Sequence, residues 1–150
     1  MSIEYKYFPR YTKQLKDLIK RRVEENPQEP YLLDIDTSRI TDMSTLFGIR
    51  MKGKIERLDL STWNTSNVTN MNYLFYGCIK LKEVNLYNWN TKNVINMSSM
   101  FSGCKSLTEL NLVNFNTSNV CNISFMFFNC MSLTSLDLST WDVSSVFHMQ

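Results

Sequence analysis

The chain is poor in the residues that most catalytic and metal-binding proteins rely on. Among 150 residues there is one histidine, His148. A lone imidazole excludes multi-His metal sites and most His-based acid–base chemistry. Four glycines and three prolines leave no Gly-rich phosphate loop and no proline-rich linker. Neither sign of charge dominates, with 16 Lys/Arg against 14 Asp/Glu. Residues 1–30 hold seven basic and five acidic residues, and residues 31–150 hold nine of each. The small basic excess is N-terminal, so no basic face is available to follow a nucleic-acid backbone. No apolar run approaches the roughly 18 residues of a membrane span. The start, MSIEYKYFPRYTKQLK, has no apolar core of the export-signal kind. A hydrophobic fraction of 43% fits one folded domain rather than disorder.

Asn, Ser and Thr are abundant instead, and 15 of the 16 Asn lie between residues 64 and 129. The bias reflects a repeat with a period of 26 residues. Units span 64–89, 90–115 and 116–141, and the first two agree at 14 of 26 positions. A looser unit, 36–63, precedes them with two extra residues around Ile49 to Lys54, and a partial unit, 142–150, follows.

Each unit has two halves. In the first, Val68, Met71, Leu74 and Phe75 recur as Val94, Met97, Met100 and Phe101, and as Val120, Ile123, Met126 and Phe127. This spacing predicts a short helix with one apolar face, and Tyr73, Ser99 or Phe125 opposite it. Gly48, Gly77, Gly103 and Asn129 follow at the place of a left-handed C-cap. Asp36, Asn64, Asn90, Asn116 and Asp142 open each unit, and an Asx there predicts a turn closed on its own backbone. The second half reads L-x-x-L-x-L, as in Leu107/Leu110/Leu112 and Leu133/Leu136/Leu138, which predicts a strand. Helix, turn and strand in 26 residues predict one coil of an α/β repeat solenoid with a short parallel sheet. Stacking would align Trp63, Trp89, Phe115 and Trp141 in one column and Phe47, Phe75, Phe101 and Phe127 in another. A third column, Asn70, Asn96 and Asn122, could bond amide to amide.

Residues 1–34 form the expected N-terminal cap, with an amphipathic helix over about 12–25. Thr12 is the expected N-cap, Leu15, Leu18, Ile19, Arg22 and Val23 form the stripe, and Asn26-Pro27 is the stop. Such a helix covers the first coil, or less readily touches a membrane surface. Residues 35–150 form the repeat domain.

Little chemistry is visible. Cys78, Cys104 and Cys130 recur at the 26-residue period, with Cys121 extra. They read as a ladder of small buried thiols; a metal site or disulfides is the alternative, but C-x-x-C pairs are absent. Asp34, Asp36 and Asp42 lack the glycine turn and closing Glu of a calcium loop. Glycosylation sequons at Asn64, Asn67, Asn96, Asn116 and Asn122 follow from the repeat itself. No catalytic, metal or cofactor-binding residue is assigned.

Binding must then use side chains that stacking leaves outward. On the strand side these are Arg57 and Asp59; Glu83, Asn85 and Tyr87; Glu109, Asn111 and Val113; and Asp137. On the other side they are Tyr73, Tyr76, Phe125 and Phe128, whose exposure favours contact with a partner. Strand 133–138, with nine residues after the unit to cover it, is a candidate edge for end-to-end self-association.

The phrase N-V-x-N-M-x-x-M-F-x-G-C, read at residues 93–104 and followed by L-x-x-L-x-L, resembles the leucine-rich-repeat family of BspA-like bacterial surface proteins, a unit also known from mycoplasma lipoproteins. The resemblance covers about residues 35–150. It implies a leucine-rich-repeat-like solenoid without enzymatic activity, a protein ligand such as a host matrix or cell-surface protein, and a role in adhesion. It also implies the cell surface, whereas the missing export signal points to the cytoplasm. The expected function is thus a non-catalytic protein-binding repeat module. The alternative is an intracellular scaffold, or a fragment of a longer repeat protein, with neither nucleic acid nor a membrane span involved.

Overall fold

The computed structural model describes residues 3–48, 51 and 53–150. Of the extra length in the first unit, Ile49, Arg50 and Lys52 lie outside the described residues. The expected helix forms as α1, Thr12–Glu25. Its Leu15, Leu18, Ile19 and Val23 are buried, the stripe that a 3.6-residue period places on one face. Thr12 is not the N-cap: that position is Tyr11, with no side-chain cap bond. The Thr12 hydroxyl instead donates to the Asp42 carbonyl at 2.6 Å, so tertiary contact takes the group a cap would use. Arg22 bonds the buried Asp34 at 2.8 Å, with its guanidinium 5.0 Å over the Tyr7 ring. Asn26 ends the helix, its N–H donating to the Arg22 carbonyl at 3.0 Å.

The first half of each repeat is not helical. Its apolar positions are buried as the spacing requires: Val68, Met71, Leu74 and Phe75 are sealed from solvent. The backbone, however, makes a series of turns. Thr45, Tyr73, Ser99 and Phe125 all have positive φ, 54–56°, which ends any helix at that position. N–H groups of Leu74, Tyr76 and Cys78 donate three residues back, while those of Met71, Tyr73, Phe75 and Gly77 donate to the next repeat. Gly77, Gly103 and Asn129 are left-handed as expected, with φ of 68°, 77° and 61°. Gly48 is not.

Asx turns account for the asparagine content. Oδ1 of Asp36, Asn64, Asn90, Asn116 and Asp142 accepts the N–H two residues on, at 2.8–3.1 Å. Asn70, Asn96 and Asn122 do the same for Asn72, Ser98 and Ser124. Their amide oxygens are therefore used locally, and it is their backbones that pair along the stack, in parallel bridges from Asp42 through Asn70, Asn96 and Asn122 to His148. Asn67, Asn93 and Asn119 are the amides that cross between repeats, each Nδ2 donating at 2.8 Å to the carbonyl of Ser38, Ser66 or Lys92. Buried Thr65 donates to the Asn90 carbonyl at 3.0 Å and accepts the Asn90 N–H at 2.8 Å, and Thr91 repeats this with Asn116. Turn backbone that would otherwise be unpaired is satisfied in this way.

Aromatic rings fill the interior. Phe47, Phe75, Phe101 and Phe127 stack in sequence at 5.2, 5.2 and 6.0 Å. Trp89 lies parallel to Phe115 at 6.4 Å, and Phe75 touches Trp89, joining the two columns. Indole N–H groups of Trp63 and Trp89 donate at 3.0 Å to the carbonyls of Leu32 and Leu60.

The second halves form strands only early in the chain. β1, Arg57–Asp59, pairs in parallel with β2, Glu83–Asn85, in the expected 26-residue register. Two ion pairs reinforce it, Arg57 with Glu83 at 3.3 Å and Glu56 with Lys82 at 2.8 Å. Residues 107–112 and 133–138 form no strand, contrary to the pattern. Between repeats 2 and 3 the backbone keeps one long bond there, Thr108 N–H to the Lys82 carbonyl at 3.4 Å. Repeat 3 places Glu109 over Glu83, like on like, where repeat 2 places Glu83 over Arg57; adjacent like charges weaken pairing.

Candidate recognition surface

Along the strand side, the column Asp59, Asn85, Asn111 and Asp137 is used structurally. Each Oδ1 accepts the N–H two residues on, from Ser61, Tyr87, Val113 and Ser139, at 2.9–3.2 Å. The Ser139 hydroxyl, followed by its backbone N–H, holds the Asp137 carboxyl below the usual aspartate range. Arg57 and Glu83 are engaged with each other. The side chains presented outward are Tyr87, 68% exposed, Val113, 48% exposed, and the exposed Glu109.

Loss of the ladder opens this surface between repeats 3 and 4. A cleft of about 670 Å³ lies there, bordered by Glu109, Asn111, Val113 and Asp137 together with Thr108 and Thr134. Other contacts between the two repeats are kept: the Cys130 thiol donates to the Phe101 carbonyl at 3.1 Å and the Thr140 hydroxyl to the Val113 carbonyl at 3.4 Å. Trp141 registers the opening. By analogy with Trp89 its indole N–H would meet the Leu112 carbonyl, but it is buried without a partner, and its ring packs on Phe127 at 6.3 Å. Four of the strip residues chosen from sequence thus share one opening. Thr108 and Thr134 also border it and were not anticipated.

The aromatic candidates fall in two other places. Tyr73 and Tyr76 meet edge to face at 5.2 Å. They line a hollow of about 580 Å³ together with Lys13, Lys16, Lys20 and Leu46. The basic side of α1 is legible in sequence, since positions 13, 16 and 20 share a helix face, but its docking beside the tyrosines is not. Phe125 and Phe128 meet edge to face at 6.1 Å and line a second hollow, also about 580 Å³, with Phe127, Leu138 and Trp141.

Cys78, Cys104 and Cys130 form no disulfide among the described residues, and each thiol donates to a carbonyl of the preceding repeat. Burial pushes the Cys104 thiol strongly up, and that of Cys130 up as well. Among the described residues no group of three or more His, Cys, Asp or Glu is placed to hold a metal ion. No helix among them is long and apolar enough to cross a membrane.

A 26-residue repeat, turns closed by Asx side chains and an aromatic interior define a repeat-containing protein. The chain belongs to the family described as Mycoplasma protein of unknown function, DUF285, whose model matches it over residues 17–109 and 41–150. No curated protein and no solved structure matches it.

Proposed function

We propose that the chain is a non-catalytic protein-binding module. In this reading the 26-residue units form a leucine-rich-repeat-like solenoid of the BspA-like type, with residues 1–34 as its cap. The module works at a cell surface, holding a protein ligand such as a host matrix protein against the strand side. One observation carries the reading: Glu109, Asn111, Val113 and Asp137 border a single cleft of about 670 Å³ between segments that form no ladder. Extended backbone without ladder partners is a recognised template for a polypeptide. Exposed Tyr87 beside it is the kind of residue that anchors protein contacts.

The test is binding to immobilised purified extracellular-matrix proteins and to intact host cells. The wild-type chain is compared with a Glu83→Lys/Glu109→Lys variant and with a Tyr87→Ala/Val113→Asp variant, each checked for native circular dichroism. Binding that the variants lose supports the strip. Equal binding by all three removes the strip from the contact, and binding by none removes the adhesive role.

A further inference from the structure

The first unit carries small residues where the second carries rings. Thr45 and Gly48 stand at the places of Tyr73 and Tyr76. The register is held by the Thr45 and Phe47 N–H groups, which donate to the carbonyls of Asn72 and Leu74 at 3.1 and 3.0 Å. On its other side the first unit meets α1, where the Thr12 hydroxyl bonds the Asp42 carbonyl. The helix therefore rises on one side of Thr45 and Gly48 and the tyrosines on the other, and the space between them is left unfilled. This is the hollow of about 580 Å³. Its lining includes Leu46 and Met51, both buried. Ile49, Arg50 and Lys52, outside the described residues, are not assigned to it.

The rim is basic. Positions 13, 16, 17 and 20 share one face of α1, so three lysines and one acid, Asp17, border the hollow. Lys16 Nζ bonds a neutral partner, the Thr45 hydroxyl, at 2.7 Å. Lys20 reaches Glu24 at 3.8 Å in an exposed pair, which offsets its charge only weakly. Among the described residues Lys13 and Lys16 form no ion pair. The exposed Tyr73 and Tyr76, edge to face at 5.2 Å, stand opposite. Uncompensated positive charge over an apolar recess fits a ligand with an apolar body and an anionic end.

We propose that this hollow binds a single-chain amphiphile that ends in a carboxylate, such as a free fatty acid. Its chain lies on Leu46 and Met51 between α1 and the tyrosines, and its head group meets the Lys13 and Lys16 ammonium groups. A free molecule fits better than a bilayer, because an interfacial helix must present its apolar face to lipid. Here that face, with Leu15, Leu18 and Ile19, is already buried. A polypeptide fits less well, because extended ligands add to strand edges, and neither β1 nor β2 borders the hollow. The lining shares no residue with the strand-side cleft, so this inference is independent of the proposed function.

The probe is sodium dodecanoate below its micelle concentration, titrated into the intact chain and followed by calorimetry and by NMR of the Tyr73 and Tyr76 rings. The expected result is saturable binding that shifts both rings and weakens severalfold as salt rises from about 50 to about 500 mM. Lys13→Glu/Lys16→Glu should weaken it about tenfold or more, by setting like charge against the head group. Glutamate in or beside the first turn suits a helix N-terminus, so α1 is kept. Tyr73→Asn, which the left-handed backbone there accepts, should also weaken binding by removing one wall. No saturable binding, or unchanged affinity in the lysine variant, overturns the proposal. So does equal binding of acetate or of dodecyltrimethylammonium, which has the same chain and the opposite charge. Ring shifts produced by anionic vesicles or by an acidic peptide, and not by dodecanoate, overturn it as well, since a bilayer or a polypeptide would then be the occupant. The Tyr87→Ala/Val113→Asp variant should bind dodecanoate as wild type does; weaker binding there would place the ligand on the strand side, against the proposal.

Discussion

The Cys104 thiol donates to the Phe75 carbonyl, 29 residues earlier, at 3.2 Å. Cys78 stands in the same relation to Phe47, and Cys130 to Phe101. The Phe75 and Phe101 carbonyls also accept a backbone N–H, from Cys78 and Cys104, so there the thiol is a second donor. The thiols therefore fill space and satisfy backbone at once.

Alkaline pH should expose this role. Burial, followed by the neighbouring Cys78 and Cys130, raises the folded Cys104 thiol far above its ordinary value. In the unfolded chain it ionises near pH 8.5. The folded state then binds one proton more than the unfolded state above that pH, so the stability it confers is complete below about pH 8.5 and falls as pH rises. The expected loss is up to about 1.4 kcal/mol per pH unit from Cys104. Urea unfolding between pH 8 and 10 measures it, and the Cys104→Ala variant should show a shallower slope. An identical slope in the variant would refute the assignment.

Phe75 has rings on three sides: Phe47 and Phe101 at 5.2 Å and Trp89 at 6.4 Å. It is sealed from solvent, whereas Phe127 at the end of the column is only partly buried. Truncating Phe75 to Ala should cost about 3–5 kcal/mol, because the surrounding rings cannot collapse into the space. Phe127→Ala should cost clearly less. Equal losses in urea titrations would mean that the two ends of the column are equally packed.

Phe75 and Phe127 also show what the sequence makes legible. The 26-residue period aligned the aromatic positions, the left-handed Gly77 and Gly103, and the β1–β2 register, since each is a like-over-like relation. The helix expected over the Met71–Phe75 positions does not form because those residues meet one face equally well through turns. What decides between the two is the left-handed backbone at Thr45, Tyr73, Ser99 and Phe125. Those four residue types have no chemistry in common that announces it. The strip was legible as a column but not as a cleft. Its Asn85 and Asn111 proved to be turn-makers, and the opening depends on a ladder that stops after two strands.

Thr45 is β-branched and exposed, with φ of 56°. A left-handed conformation costs such a residue about 1–2 kcal/mol, and asparagine tolerates it better. Thr45→Asn should therefore stabilise the chain by about 0.5–1 kcal/mol, even though it alters the exposed bond from Lys16 Nζ to the Thr45 hydroxyl. Thermal unfolding checks the sign; a lower midpoint would show that the Lys16 contact outweighs the backbone relief.

The ladder between β1 and β2 carries two cross-repeat ion pairs, while the next junction sets Glu109 over Glu83. Both side chains are exposed, so the repulsion is worth only tenths of a kcal/mol. That is nonetheless comparable to what decides whether a short parallel segment pairs or frays. Glu109→Lys places a cation beside Glu83 and should extend the ladder by one repeat. Amide exchange at residues 108–111 should slow by severalfold at low salt, and 1 M salt should erase much of the gain by screening. A variant whose exchange there matches wild type at both ionic strengths would assign the missing ladder to backbone geometry instead. Residues 108–111 also border the cleft on its repeat 3 side, so ligand binding by the same variant that weakens at low salt and recovers in 1 M salt together with the exchange would tie recognition to the unladdered segment.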